Sequence, residues 1–216
     1  MTRLLRYIAA VAALALFATL MPRVANVDAG LPADVRSGER VHWTPEEIAA
    51  LVRLLRAEGA SRVQAAELAQ IVHSESRALH LDPLYALALI KIESNFRANA
   101  VSSQGAVGLL QIRPEAARSV AVAGESARGE SPRAARLRDP QTNVAVGLRY
   151  LRHLEGQFPD RTTALAAYNL GPSRVRRRLE RGAPVPRRYA ERVLAVYRAL
   201  AEATTTSPDG APLPRS

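Results

Sequence analysis

Residues Ala86 to Gln111 read ALALIKIESNFRANAVSSQGAVGLLQ. An apolar run with helical spacing ends in a single carboxylate, Glu93, and a loop of small residues follows it. At about 3.6 residues per turn, Glu93 lies above Ala86, Leu89 and Ile90, while Lys91 faces nearly the opposite way. The carboxyl is therefore expected to emerge against hydrocarbon with no cation beside it. Desolvation disfavours the charged form and raises the pKa, as a general acid working near neutral pH requires. The competing reading pairs Glu93 with Arg97, one turn further on, which would hold it charged and remove its use as an acid.

Outward from this stretch the chain reads as a series of capped helices. Asp82-Pro83 caps the helix that carries Glu93. Thr44-Pro45-Glu46-Glu47 is a capping box that predicts a helix to about Ala57, with Ile48, Leu51, Val52 and Leu55 on one face and Trp43 placed to staple onto it. Gly59 ends that helix, and Ser61 begins another through about Leu79 with Ala65, Leu68, Ala69, Val72 and Leu79 turned inward. Beyond Gln111, Pro114 opens a short helix to about Val122, and the Gly-, Ser- and Arg-rich stretch from Gly124 to Arg136 reads as a mobile surface loop. Asp139-Pro140 caps a helix to about Gln157, with Glu155 and Asp160 flanking the turn after it. A short apolar helix follows from Thr162 or Thr163 to Leu170, stopped at Gly171. Pro172 to Arg181 is basic, and Pro186 starts a last helix to about Ala203 with Val193, Leu194, Tyr197 and Leu200 inward. No strand run and no internal repeat is evident, so the class is mainly α.

A chain of 216 residues with 48% hydrophobic content buries one good core. The expected layout is one catalytic domain over 44–203, preceded by a linker at 30–43 and followed by a tail at 204–216 too polar to fold. Arg3 and Arg6 precede an uncharged apolar run from Tyr7 to Met21, the layout of a secretory signal. The run is shorter than the ~20 residues of a usual membrane span. Val27-Asp28-Ala29 offers a cleavage site, while Pro22 and Arg23 interrupt it, so residues 1–29 read as a signal peptide or as an uncleaved inner-membrane anchor. Both place the remainder in the periplasm or cell envelope. The absence of cysteine excludes disulfides, thiolate metal sites and a cysteine-linked lipid anchor. His42, His73, His80 and His153 are scattered, with no HExxH spacing, and neither a G-x-S-x-G elbow nor a P-loop is present. No metal or cofactor is expected.

The formal charge of +10 is almost wholly arginine, because Lys91 is the only lysine. From Arg174 to Arg192 eight arginines stand against Glu180 and Glu191. A solvated helix face and a functional basic surface weigh evenly here. No helix-turn-helix, zinc knuckle or aromatic-basic alternation accompanies the charge, which argues against nucleic acid as a partner.

Four motifs in order carry a resemblance. They are Glu93-Ser94; Gly105-Ala106-Val107-Gly108-Leu109-Leu110-Gln111; the helix positions Asn143, Gly147, Tyr150 and Leu151; and Ala167-Tyr168-Asn169-Leu170-Gly171. Over about Ala65 to Leu200 the chain resembles the soluble lytic transglycosylase family, lysozyme-like enzymes that cleave peptidoglycan. The four motifs match its catalytic Glu-Ser, its GAxGLMQ loop with Leu110 in place of Met, its NxxxGxxYL helix and its AYNxG signature. The helix predicted before Ala65 is an addition to that core. The resemblance implies a lysozyme-like fold, and a small β element between Ser102 and Leu109.

It also implies a reaction. Most glycosidases need two carboxylates across the scissile bond, and only one here is well placed, since Glu115 in a helix first turn and Asp139 as a cap have local explanations. A lytic transglycosylase needs one. Glu93 would protonate the oxygen between N-acetylmuramic acid and N-acetylglucosamine, then take the proton from the muramoyl 6-hydroxyl as that hydroxyl closes on C1. By the same resemblance Ser102 and Gln111 contact substrate, Tyr168 forms a cleft wall orienting Glu93 or a substrate oxygen, and Asn169 makes a second contact or supports it. Tyr189 matches the tyrosine of a late ETxxY element, although Val185-Pro186 replaces the Glu-Thr. Ser94, Gly105, Gly108 and Asn143 are site scaffold, Asn143 locking helix to loop and Asn95 terminating the helix. The partners implied are glycan strands, with their anionic stem peptides or an acidic membrane face for the basic segment, and an envelope or secretion machine. The alternatives are a goose-type lysozyme using water, and a non-catalytic wall-binding assembly factor.

Overall fold

The computed structural model describes residues 45–120 and 136–205. The expected signal or anchor at 1–29, the expected linker with Trp43, the expected Gly124–Arg136 loop up to residue 135 and the expected tail beyond residue 205 lie outside the described residues. Among the described residues the order is α1 (Pro45–Ala57), α2 (Arg62–Ala78), α3 (Pro83–Ser94), α4 (Pro114–Ser119), α5 (Pro140–Glu155), α6 (Arg161–Leu170), α7 (Pro172–Glu180) and α8 (Arg188–Thr205), with a single 3-10 turn at Arg136–Arg138 before α5.

Local chemistry fixes these starts. Ser61 and Gln64 form a reciprocal capping box at α2. Asp82 accepts from the Leu84 amide at 2.7 Å, and Pro83 supplies the fixed first turn of α3. Asp139 and Asp160 cap α5 and α6 through the amides of Thr142 and Thr163, each at 2.8 Å. Glu155 and Asp160 flank the turn between these two helices as expected, Asp160 also serving as the cap, and α6 begins at Arg161, one residue ahead of the expected Thr162. The α4 helix stops at Ser119, short of Val122, and α8 starts at Arg188, two residues after Pro186.

The core centres on α3, whose residues Pro83 to Ile90 are all buried. That burial on every side is why the helix reads as a nearly continuous apolar run and not as a stripe. Packed against it are α8, through Val193, Leu194 and Tyr197, and α2. The Tyr197 hydroxyl donates to Asp82 at 2.7 Å, tying α8 to the start of α3. The added helix α1 packs on α2 and α8 and buries Leu51 and Leu55 completely, so it is a layer of this domain.

The expected β element is reduced to two isolated antiparallel bridges, Val101 with Val107 and Val107 with Ile112. Gly105, Gly108 and Gln111 all have positive φ, which breaks any extended run before it can pair as a strand.

Candidate active site

Glu93 occupies the penultimate position of α3, half-buried, where the apolar helix meets a cavity of about 900 Å³. Burial pushes its pKa above the ordinary 4.5, opposed by the hydroxyl of Tyr189 and by the charge of Arg192. Tyr189 donates a short hydrogen bond to Glu93 Oε1. The phenol is itself pushed well above its ordinary range by burial and the nearby carboxyl, so it remains a donor. Arg97 takes no part, because its Nε donates to the Ser94 carbonyl at 3.0 Å. Arg192, a full helix away in sequence space, is a cation that the periodicity of α3 could not reveal.

The chain leaves Glu93 through two left-handed residues, Asn95 at φ 50° and Phe96 at φ 61°, with Asn95 ending the helix. Ser94 is buried and donates from Oγ to the Ile90 carbonyl at 3.1 Å, which turns it away from the cavity. From Ala100 to Ile112 the loop folds back as the cavity floor. Ser102 Oγ accepts from the amides of Ala106 at 3.0 Å and Gln104 at 3.3 Å, leaving its own proton to give. Gln111 spends its amide protons on the carbonyls of Gly108 (2.9 Å) and Ala100 (3.2 Å), so only its Oε1 is left to receive a ligand's donor.

Behind that loop stands Asn143, fully buried on α5. Its Oδ1 accepts from the Leu110 amide at 2.7 Å, and its Nδ2 donates to the carbonyls of Val107 (2.9 Å) and Leu137 (2.8 Å). Gly108 is required by this arrangement: a Cβ there would sit 2.2 Å from Asn143 Nδ2 at φ +81°. Gly147 admits Leu110, whose side chain would lie 2.5 Å from an added Cβ. Gly105 has open space around it but φ +77°.

Tyr168 stands on the cavity wall against Tyr150, ring centroids 5.5 Å apart. Its hydroxyl donates to the Leu110 carbonyl at 2.8 Å, so it braces the loop, and the place beside Glu93 belongs to Tyr189. Asn169 is exposed on the same wall. The cavity wall also includes residues that motif reading left out: Tyr150, Glu115, His153, Gln157, Arg113, Arg174 and Arg176. Tyr150 is a position of the third quoted motif, and Arg174 follows the fourth within one helical turn. Glu115 lies in the first turn of α4, as expected, and is also exposed on the cavity wall. Among the described residues no cluster of side chains could hold a metal ion.

The site is thus one desolvated carboxyl at the end of a central helix, facing a small-residue loop in a helical domain. Sequence comparison sharpens this. The family described as "Transglycosylase SLT domain" matches residues 70–186, and the chain belongs to that family. It is 38% identical over 97 residues to the soluble lytic murein transglycosylase of Escherichia coli (strain K12), covering 43% of this chain and 14% of that one. To the membrane-bound lytic murein transglycosylase C of Haemophilus influenzae (strain PittGG) it is 28% identical over 123 residues, 53% of this chain and 34% of the other. The chain thus spans only a minor part of these relatives. Its fold matches the 70-kDa soluble lytic transglycosylase of Escherichia coli with a TM-score of 0.54 at 24% identity, over 78% of this chain and 33% of that one. Tyr189 and Arg192, which lower the pKa of Glu93, lie just past the matched segment.

Proposed function

We propose that this protein is an exported peptidoglycan lytic transglycosylase with Glu93 as its single acid and base. The observation that carries the reading is the state of Glu93: raised in pKa by burial, hydrogen-bonded by Tyr189 and open to the cavity. A neutral carboxyl that accepts at Oε1 holds its proton on Oε2. Oε2 then protonates the glycosidic oxygen as the bond to muramoyl C1 breaks, and the resulting carboxylate removes the proton of the 6-hydroxyl as that oxygen bonds to C1. The products are a free N-acetylglucosamine hydroxyl and a 1,6-anhydromuramoyl end, with no water consumed. Arg192 and the Tyr189 donor stabilise the transient carboxylate. The names of the relatives and the quoted motifs support the substrate, and the apolar run from Tyr7 to Met21 supports export.

One observation favours a second reading. Glu115 also lines the cavity and could serve as the base of a two-carboxylate hydrolase. Mass spectrometry of fragments released from purified sacculi by the full chain separates the two. Anhydro ends, one water lighter than hydrolysed ones, persisting in Glu115→Gln and absent in Glu93→Gln, are expected. Ordinary reducing ends that depend on Glu115 would replace the first reading by the second.

A further inference from the structure

Glu93 is aimed by the last turn of α3, and the chain leaves that turn through Asn95 and Phe96, two non-glycine residues in the left-handed region that L side chains rarely adopt. Such a conformation persists only where its surroundings hold it. Behind this exit the domain is open. A cavity of about 750 Å³, separate from the cleft, is lined by Glu58, Phe96, Arg97, Ala100, Val101 and Leu109. Ala100, Val101 and Leu109 belong to the loop that floors the cleft, so packing behind that floor is incomplete. A directed contact spans the gap. Lys91, the only lysine of the chain, lies two positions before Glu93 on α3 and so points nearly the opposite way. It donates to Glu58 Oε2, and its Nζ stands 5.7 Å from the Phe96 ring centroid. One ammonium is thus held between a carboxylate and the face of a ring, both at the edge of the cavity. Glu58 itself sits in the turn between α1 and α2, outside the segment that matches the family.

We propose that Glu58 and Lys91 are positioning residues for Glu93: their ion pair seats the ammonium on Phe96 and so keeps the exit from α3 in the geometry that aims the carboxyl into the cleft. This rests on Glu93 being the acid of the proposed reaction. It gives the added layer a second role besides burying Leu51 and Leu55, because the end of α1 then reaches the catalytic helix through Glu58. A partly exposed ion pair, with side chains 27% and 33% accessible, contributes little to stability. Its effect belongs to the rate, since displacing a reacting group by about 1 Å costs up to ~100-fold. Neither residue lines the cleft, so substrate affinity is left unchanged.

The test counts glycan ends of either kind released from soluble, uncrosslinked glycan strands by the full chain, well below its melting temperature. Wild type is compared with Glu58→Gln, Lys91→Met, the double variant, Lys91→Arg and Glu93→Gln. Each of the first two variants is expected to lose about tenfold in kcat at unchanged KM. The double variant should be no worse than either, because both break one contact. Lys91→Arg should recover much of the rate, as it keeps the charge and stacks on a ring. A chain with one lysine also allows a direct readout by nuclear magnetic resonance after lysine labelling. The methylene beside the Lys91 ammonium should resonate upfield over the Phe96 ring in wild type, and return to the position of free lysine in Glu58→Gln. Full kcat in Glu58→Gln, losses that add in the double variant, a loss confined to KM, or a lysine signal that Glu58→Gln leaves in place overturns the proposal. Cleavage that survives Glu93→Gln would remove the acid and the clamp's role with it, whereas an inactive Glu93→Gln beside a fully active Glu58→Gln removes the clamp alone.

Discussion

At the scale of single residues, the chemistry depends on how far Glu93 is displaced from an ordinary carboxyl. Burial raises its pKa and Tyr189 lowers it, so removing the phenol must raise it further. In Tyr189→Phe the alkaline limb of the pH–rate profile is expected to move to higher pH, with the rate at the optimum down by roughly 10 to 100 fold from lost orientation. An alkaline limb that moves to lower pH would refute the assignment. The same burial acts on stability. A carboxyl whose folded pKa lies above its unfolded one contributes stability that is complete below the unfolded value and is lost as pH rises through the folded value. Glu93→Gln is therefore expected to melt increasingly above wild type as pH climbs from 4.5, a gap read directly from melting temperatures over a pH series. Glu93 was legible because its burial follows from helical spacing within twelve residues. Tyr189 was named only through a partial motif, and its hydrogen bond to Glu93 was not legible, because a contact across 96 positions leaves no local pattern.

Among the elements, the loop from Ala100 to Ile112 is held by Asn143 of α5 together with two isolated β-bridges. Its β character stops at those bridges because three left-handed residues, Gly105, Gly108 and Gln111, interrupt any extended run. The capped helices were legible to within a few residues, since Asp-Pro and Ser-x-x-Gln signals are local. Gly105 and Gly108 look alike in the motif but are unlike in space. Gly105→Ala meets nothing and should cost about 1 kcal/mol for its backbone conformation. Gly108→Ala drives a Cβ into Asn143 and the Leu137 carbonyl, with a separation of 2.6 Å from the latter. It is expected to cost roughly 3 kcal/mol or more, with cleavage falling as the floor shifts. Urea denaturation of the two variants side by side measures the difference, and equal losses would show that Asn143 does not clamp the loop.

For the whole molecule, the informative comparison is between the family's span and the domain's. The match begins at residue 70, yet α1 before it buries Leu51 and Leu55 against α2 and α8. Leu51→Ala is therefore expected to cost about 2 to 4 kcal/mol, lowering the melting temperature by several degrees. A change confined to surface-like values near 0.5 kcal/mol would mean that α1 is only loosely attached. The apolar stripe of α1 was readable from periodicity, but its partner was not, because α8 lies at the other end of the domain. The arginines of the cavity lining were legible only as charge in the sequence. Which arginines face the cavity depends on how α7 packs against α6, and no spacing rule fixes that.

The hydrogen bond from Tyr189 to Glu93 also has a meaning in time. Its two ends are separated by 96 positions, so during synthesis the carboxyl leaves the ribosome roughly 5 to 20 s before the phenol that holds it. Until α8 docks, α3 has neither its principal packing partner nor that donor, and Glu93 is an ordinary solvated acid. A chain that still lacks α8 is therefore expected to hold Glu93 without its donor, so the site is completed only when the last helix docks.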